Sequence, residues 1–473
     1  MKTLPALFAA AALIVPMLSA NSVEPPVTVH VQAKAVPVTE PTQSAPVMAP
    51  SATTDAAIAR AEAQTRLKPG APDAWVALGN AWMQKSRDQV QGVGYARAEA
   101  AYRKALAADA HHVPALLGMA WVCNTRHEFE AGTIWARKAI DLDPKQPDAY
   151  ALLGDTAVEL GDYPAAFEHY QACLDLRPDL SSYSRSAHLL FLTGDLQRAQ
   201  QLMRQAIAAG GPFPENTAWC RAQLARMQFQ TGALVLAEKT LEEALRETPT
   251  NPHVLAASGK LALARANYPA AIRALEKAAS PSAQHAVLVD LALAYRLAGE
   301  PARSQAVAQR IRALHRPDDH EHDHHHGDAE ESHHHHGPGE GNADWALYLA
   351  DHDGDLDEAL HEAEAAYRNS KSIHAADAMA WCQFRKGQYE SAKKTLLKVL
   401  KWKTPDAMLL FHAGMIHARL GEWPAARKYL YQALSLNPHF HPIFSAEAAD
   451  TLREMAGKPS PPHTRESASL NRP

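Results

Sequence analysis

Tyr150-Ala-Leu-Leu-Gly154, followed by Ala166, Tyr170 and Pro178, decides the fold of this chain. Between its two halves lies the break Gly161-Asp162-Tyr163-Pro164. Gly ends one helix, because it adopts the left-handed cap conformation at little cost. Pro suits the first turn of the next helix. Gly194-Asp195, Gly299-Glu300-Pro301 and Gly421-Glu422-Trp423-Pro424 repeat the break. The unit recurs about every 34 residues from Asp73 to Pro438, the period of stacked helix pairs.

Small residues recur where paired helices must touch. Gly79, Gly118, Gly154, Ala187, Ala225, Gly259, Ala292, Ala380 and Gly414 fall in first helices. Ala98, Ala166, Ala199, Ala237, Ala271, Ala392 and Ala426 fall in second helices. A larger side chain at any of them should push a pair apart and cost about 1–3 kcal/mol. The predicted product is an all-α solenoid, a long curved surface open along its hollow face. That shape favours binding over a catalytic pocket.

These residues resemble the tetratricopeptide repeat family, whose motif reads W-x2-L-G-x2-Y, then A-x3-F, then P. Trp75-Val-Ala-Leu-Gly79-Asn-Ala-Trp82 matches its first half. Ala166, Tyr170 and Pro178 match its second half, as do Ala426, Leu430 and Pro438, and Ala237, Leu241, Ala244 and Pro249. The resemblance covers most of residues 55–456 and implies a right-handed superhelix of about nine or ten helix pairs. Some copies depart from the motif. An insertion falls around Arg87–Tyr95, a longer link near Arg126–Phe129, and Gly210-Gly-Pro-Phe-Pro214 extends another link. The repeats beside a His-rich interruption match least. The last third, including Trp345–Asp351, Ala378–Trp381 and Leu410–Met415, is similar to exported bacterial members of the family. That similarity implies a scaffold role and no enzyme. Ser445–Met455 reads as a final helix capping the stack.

The start of the chain, Met1-Lys2-Thr3 and an apolar run from Leu4 to Leu18, reads as a signal peptide cleaved after Ala20. An uncleaved anchor is the alternative, although the run is short for a bilayer span. Residues 21–54, rich in Pro, Ala, Val and Thr, cannot repay their ordering entropy and read as a spacer. Two arrays follow, 55–315 and 344–456, separated by a loop at 316–343, and the tail from 457 to 473 reads as unstructured. The expected location is the periplasm or cell envelope of a Gram-negative cell, or otherwise the medium, with no stable membrane span after cleavage. The formal net charge is −5, without the basic footprint of a nucleic-acid binder. Four cysteines, Cys123, Cys173, Cys220 and Cys382, stand far apart in predicted helices. They read as small buried hydrophobes, although export would permit disulfides.

The resemblance also implies that the first helix of each repeat lines the concave groove. Aligned on the small residues, the groove candidates are Asp155, His188, Phe191, Arg226, Phe229, Lys260, Arg296, Trp381 and Phe384. Basic groups beside aromatics suit an extended protein or peptide segment carrying acidic groups or a free carboxylate. The competing reading makes the charges solvated and the aromatics repeat-to-repeat packing.

The loop carries His320, His322, His324, His325, His326, His333, His334, His335 and His336 among eight acidic residues, with no Lys or Arg from Pro317 to Ala343. Neutral imidazole binds Ni, Zn, Cu and Co, so capture or buffering of a transition metal is a second reading. No resident cofactor is required. Incidental affinity in a solvating low-complexity loop competes with it. His320-Glu-His-Asp-His324 fits H-E-x-x-H, but that motif needs a helix, and Pro317 and Gly327 flank it. Asp351-His-Asp-Gly-Asp355 places its Gly too early for a calcium loop. The leading expectation is an exported scaffold holding a protein partner. The alternative is a metal-handling envelope protein that docks a transporter or client.

Overall fold

A computed structural model describes residues 50–89, 93–211, 213–279, 284–315, 342–352 and 354–456. The expected signal peptide, the tail and nearly all of the His-rich loop lie outside these residues. Among the described residues there are 22 helices and no strand. Helix α1 (Pro50–Leu67) packs on the first helix of ten consecutive pairs. It begins within the stretch read as spacer, because Thr54 is buried and donates to Asp88 Oδ2 at 2.5 Å.

The pairs are α2/α3 (Pro72–Gln89, Val93–Ala108), α4/α5 (Val113–Thr125, Phe129–Leu142) and α6/α7 (Pro147–Glu159, Tyr163–Leu176). Next come α8/α9 (Leu180–Leu192, Leu196–Ala209), α10/α11 (Pro214–Gln230, Leu234–Glu247) and α12/α13 (Pro252–Ala264, Tyr268–Ala278). Then follow α14/α15 (His285–Leu297, Pro301–Ala313), α16/α17 (Ala343–Asp351, Leu356–Asn369), α18/α19 (Ile373–Arg385, Tyr389–Leu400) and α20/α21 (Ala407–Arg419, Trp423–Leu436). Helix α22 (Phe444–Met455) covers the last pair. The molecule is an α-solenoid.

The small residues explain the stacking. A Cβ on Gly79 or Gly118 would overlap the ring of Tyr102, which is fully buried between one pair and the next. Gly154 meets Tyr170 in the same way, Gly259 meets Leu275, and Gly414 meets Leu430. The alanines expected on the second helices, Ala98 to Ala426, are fully buried. The two least recognisable repeats obey the same rule. Ser304 on α15 takes a small position, and its Oγ donates to the carbonyl of Ala292 at 2.8 Å. Ala350 and Ala363, both fully buried, join α16 to α17. All four cysteines are buried and unpaired.

The solenoid is not open along its whole length. A ribbon of helix pairs has two edges, one made of turns within pairs and the other of links between pairs. Here the edges meet. The carbonyl of Glu159 accepts from the backbone N–H of Lys371 at 2.8 Å, and Tyr163 Oη accepts from the N–H of Ile373 at 3.1 Å. One repeat further along, the carbonyl of Leu192 accepts from Thr404 Oγ1 at 2.5 Å. One repeat further again, the carbonyl of Phe229 accepts from Asn437 Nδ2 at 2.7 Å, and Gln230 Nε2 donates to Asp406 at 2.6 Å. Tyr163 packs edge-on against Trp402, ring centres 4.9 Å apart. One buried apolar core accordingly runs from Ala157 to Met455.

The insertion read at Arg87–Tyr95 lengthens α2, with Val90–Gly92 outside the described residues. The extended link at Gly210–Pro214 leads into a long α10. These two irregularities touch: Gln84 Nε2 donates to Glu215 Oε2 at 3.3 Å, and Arg87 lies 3.8 Å from the same oxygen.

Candidate partner-binding groove

The first helices of successive pairs present their side chains to the inside of the curve, and the predicted groove residues divide there into two groups. The aromatic ones are packing. Phe191, Phe229 and Phe384 are buried, and Trp381 is 2% exposed. The Trp381 ring is stacked between Phe384, with centres 4.8 Å apart, and His412, at 4.1 Å. Its Nε1 donates to Asp351 at 2.7 Å. None of the four rings lies open to a ligand.

The charged ones differ from each other. Asp155 is committed internally: it accepts from Tyr170 Oη at 2.7 Å and from Arg185 Nε at 2.8 Å. It therefore ties α7 and α8 together. His188 is half-buried, and burial together with the nearby Arg226 pushes its pKa down to about 4. It is neutral at pH 7. Lys260 reaches Asp290 at only 3.5 Å and stays half exposed. Arg226 and Arg296 are exposed, and among the described residues neither has a carboxylate within 4 Å. Arg226, Lys260 and Arg296 stand on α10, α12 and α14, three successive first helices.

The structure adds residues that alignment on the small positions did not reach. His374 Nε2 bonds Asp344 Oδ1 at 2.9 Å, with side chains 58% and 50% exposed. Burial opposes the charge on His374, and Asp344 outweighs it, so the imidazole pKa is raised. Arg226 acts on both members of this pair from α10. The pair is thus reached by solvent while lying within the field of Arg226 on α10. Behind it, buried His412 bonds Asp377 at 2.8 Å. His441, in the link before α22, has its pKa pushed down to about 3 by burial, then by Lys260 and Arg296 on the facing wall. Asp344 and His374 sit in the first turns of their helices, Asp377 and His412 in the second turns, and His441 in a link. The sequence signal was a position seven residues before Trp381 on α18 and before Asp351 on α16, shared by His374 and Asp344 at a spacing of 30 residues.

Among the described residues no cluster of three or more His, Cys, Asp or Glu could hold a metal ion. The nine loop histidines, His320 to His336, lie outside them. His315 and His285, where the loop leaves the array, stand 2.9 Å apart between Nε2 and Nδ1. Asp351 ends α16 and Asp355 caps α17, an ordinary turn between paired helices. No helix among the described residues is long and apolar enough to cross a membrane.

Tetratricopeptide repeat models match residues 147–180, 190–261 and 378–439. No curated protein gives a significant match. Among solved structures, the chain is similar to PilF of Pseudomonas aeruginosa at 18% identity, covering 43% of this chain and 91% of that one, TM-score 0.37. A tetratricopeptide repeat protein from Parabacteroides merdae is 19% identical over 51% of this chain and 93% of that one, TM-score 0.38. The APC/C hetero-tetramer Cut9–Hcn1 gives 13% identity over 84% and 81%, TM-score 0.37.

Proposed function

Because the chain belongs to the tetratricopeptide repeat family, we propose that it is a non-catalytic scaffold that holds an acidic, extended protein segment in its groove. The observation that carries this reading is the row Arg226, Lys260 and Arg296 on successive first helices, two of them without an ion-pair partner among the described residues. Guanidinium groups kept free inside a groove favour carboxylates, which they bind in forked pairs. His188 adds a neutral donor or acceptor beside Arg226.

The apolar start of the chain supports export, placing the scaffold in the cell envelope or outside the cell. A fluorescein-labelled linear peptide rich in Glu tests the binding reading by anisotropy. Arg226→Ala and Arg296→Ala should each weaken it about tenfold, or roughly 1.4 kcal/mol. Affinity should fall as salt rises. Unchanged affinity in both variants would remove the groove from the reading.

A second reading is metal handling. It is favoured by nine histidines from His320 to His336 and by the His285–His315 pair that precedes them. The intact protein should then take up several equivalents of Ni or Zn near pH 7. Uptake should fade as pH drops through the imidazole range near 6.5. Deletion of residues 318–341 should abolish it and leave peptide binding intact.

A further inference from the structure

We infer that over three consecutive repeats the solenoid is a closed tube, and that its partner is a linear segment entering end-on through a free terminus. The inference rests on the groove reading above and adds the route of entry. The seam joins edges of opposite kind: turns within pairs at Glu159, Leu192 and Phe229 meet links between pairs at Ser370, Thr404 and Asn437. The sequence separations are 211, 212 and 208 residues, so each step along one edge is matched by one step along the other. The contact thus recurs once per repeat over three repeats.

The seam is also built chemically. The carbonyls of Glu159, Leu192 and Phe229 belong to the last turns of α6, α8 and α10, where a helix leaves acceptors unsatisfied. The facing edge supplies the donors for Glu159 and Leu192, and adds Asn437 to the Gly232 N–H that the Phe229 carbonyl already accepts. At this edge the left-handed caps are Gly161, Gly194 and Gly232. A Cβ there would lie 2.5 Å from the carbonyl oxygen of Lys371, 2.9 Å from that of Lys403 and 2.5 Å from that of Leu436. Where the edge is not sealed, a side chain is tolerated in the same backbone conformation: His127 has φ 60° and Ala266 φ 56°. Gly299 has no described atom within 4 Å of its added Cβ position. Glycine at the seam therefore provides clearance as well as a cap.

Inside the sealed stretch the wall stays wet and charged, with Arg226, Lys260 and the Asp344–His374 pair all reached by solvent. Sideways entry is blocked there. A folded domain cannot lie in such a channel, whereas an extended chain with an end can thread it.

Glu159→Cys with Lys371→Cys tests this, since the two backbones are already hydrogen-bonded and the native cysteines are buried. Two probes are compared, the Glu-rich linear peptide and its head-to-tail cyclised form. The oxidised, stapled protein should bind the linear peptide within about twofold of the reduced protein. The cyclic peptide should bind at least tenfold more weakly to both. Loss of linear binding on oxidation, or equal binding of the two peptides, overturns end-on entry and leaves the groove reading standing. Failure of the reduced protein to bind the linear peptide removes the groove reading, and end-on entry with it.

Discussion

Gly161 and Gly299 occupy equivalent turns with φ values of +72° and +79°, so the backbone demand is the same at both. They differ in what surrounds them, which separates conformational strain from clearance. Gly299→Ala should cost only the left-handed conformation, about 1–2 kcal/mol. Gly161→Ala must also displace the Lys371 carbonyl. Its midpoint in urea should fall clearly further than that of Gly299→Ala. Equal losses in the two variants would mean that the seam contributes nothing at this point. The distinction is invisible in sequence, where both residues read as helix stops before an acidic residue. The small residues facing Tyr102, Tyr170, Leu275 and Leu430 were legible, because their partners sit in the same or the next repeat. The contact of Gly161 crosses more than 200 residues and leaves no local pattern.

Helix α22 shows how one element depends on one proton. His441 Nδ1 accepts from the N–H groups of Ile443 and Phe444, both at 3.2 Å, and its ring stacks on Phe444. Burial first, then Lys260, Arg296, His352 and His412, push its pKa from 6.5 down to about 3. The unfolded chain takes up a proton below 6.5 that the folded chain refuses until about 3. The stabilisation is therefore complete above pH 6.5 and is lost as pH falls toward 3. The His412–Asp377 pair works in the opposite sense. Its imidazole pKa is raised by the carboxylate against burial, so its contribution is full below 6.5 and fades as pH rises through the raised value. Hydrogen exchange at Ile443 and Phe444 should accelerate between pH 6.5 and 4 beyond the intrinsic pH trend. His441→Asn, which keeps an acceptor that does not titrate, should flatten that excess. The groove aromatics belong to this same scale, where partner binding and repeat-to-repeat packing were the two readings. Trp381 and Phe384 sit at groove positions by alignment, yet α20 and α22 close over Trp381, and Phe384 packs between Trp381 and Tyr389 of α19.

For the whole molecule, the repeat count and helix pairing could be read from spacing alone, whereas the winding could not. How tightly a ribbon coils depends on small rotations between pairs, which no single repeat encodes. Beside the Lys371–Glu159, Ile373–Tyr163 and Gln230–Asp406 bonds, three side-chain contacts to carbonyls help hold the coil shut where it is sealed. The triple variant Ser370→Ala, Thr404→Ala, Asn437→Ala removes the side chains that supply them. Far-UV circular dichroism should stay unchanged, because no helix depends on them. The hydrodynamic radius should increase, since each lost seam hydrogen bond removes about 0.5–1.5 kcal/mol of cross-seam stabilisation. An unchanged radius would mean that the remaining Lys371–Glu159, Ile373–Tyr163 and Gln230–Asp406 bonds, with Tyr163 packed on Trp402, suffice to keep the coil wound.

The long α2 and the early-starting α10 meet at Gln84, Arg87 and Glu215, and each is irregular in length only where the other answers it. Helix-pair proteins are commonly treated as beads on a string, to be lengthened or shortened one module at a time. Here a module inserted or deleted between Gly232 and Ser370 would shift every station of the seam by one. Such a change would have to be answered by a matching one on the far side, which makes this chain a poor candidate for modular editing and a ring-like object in its inheritance.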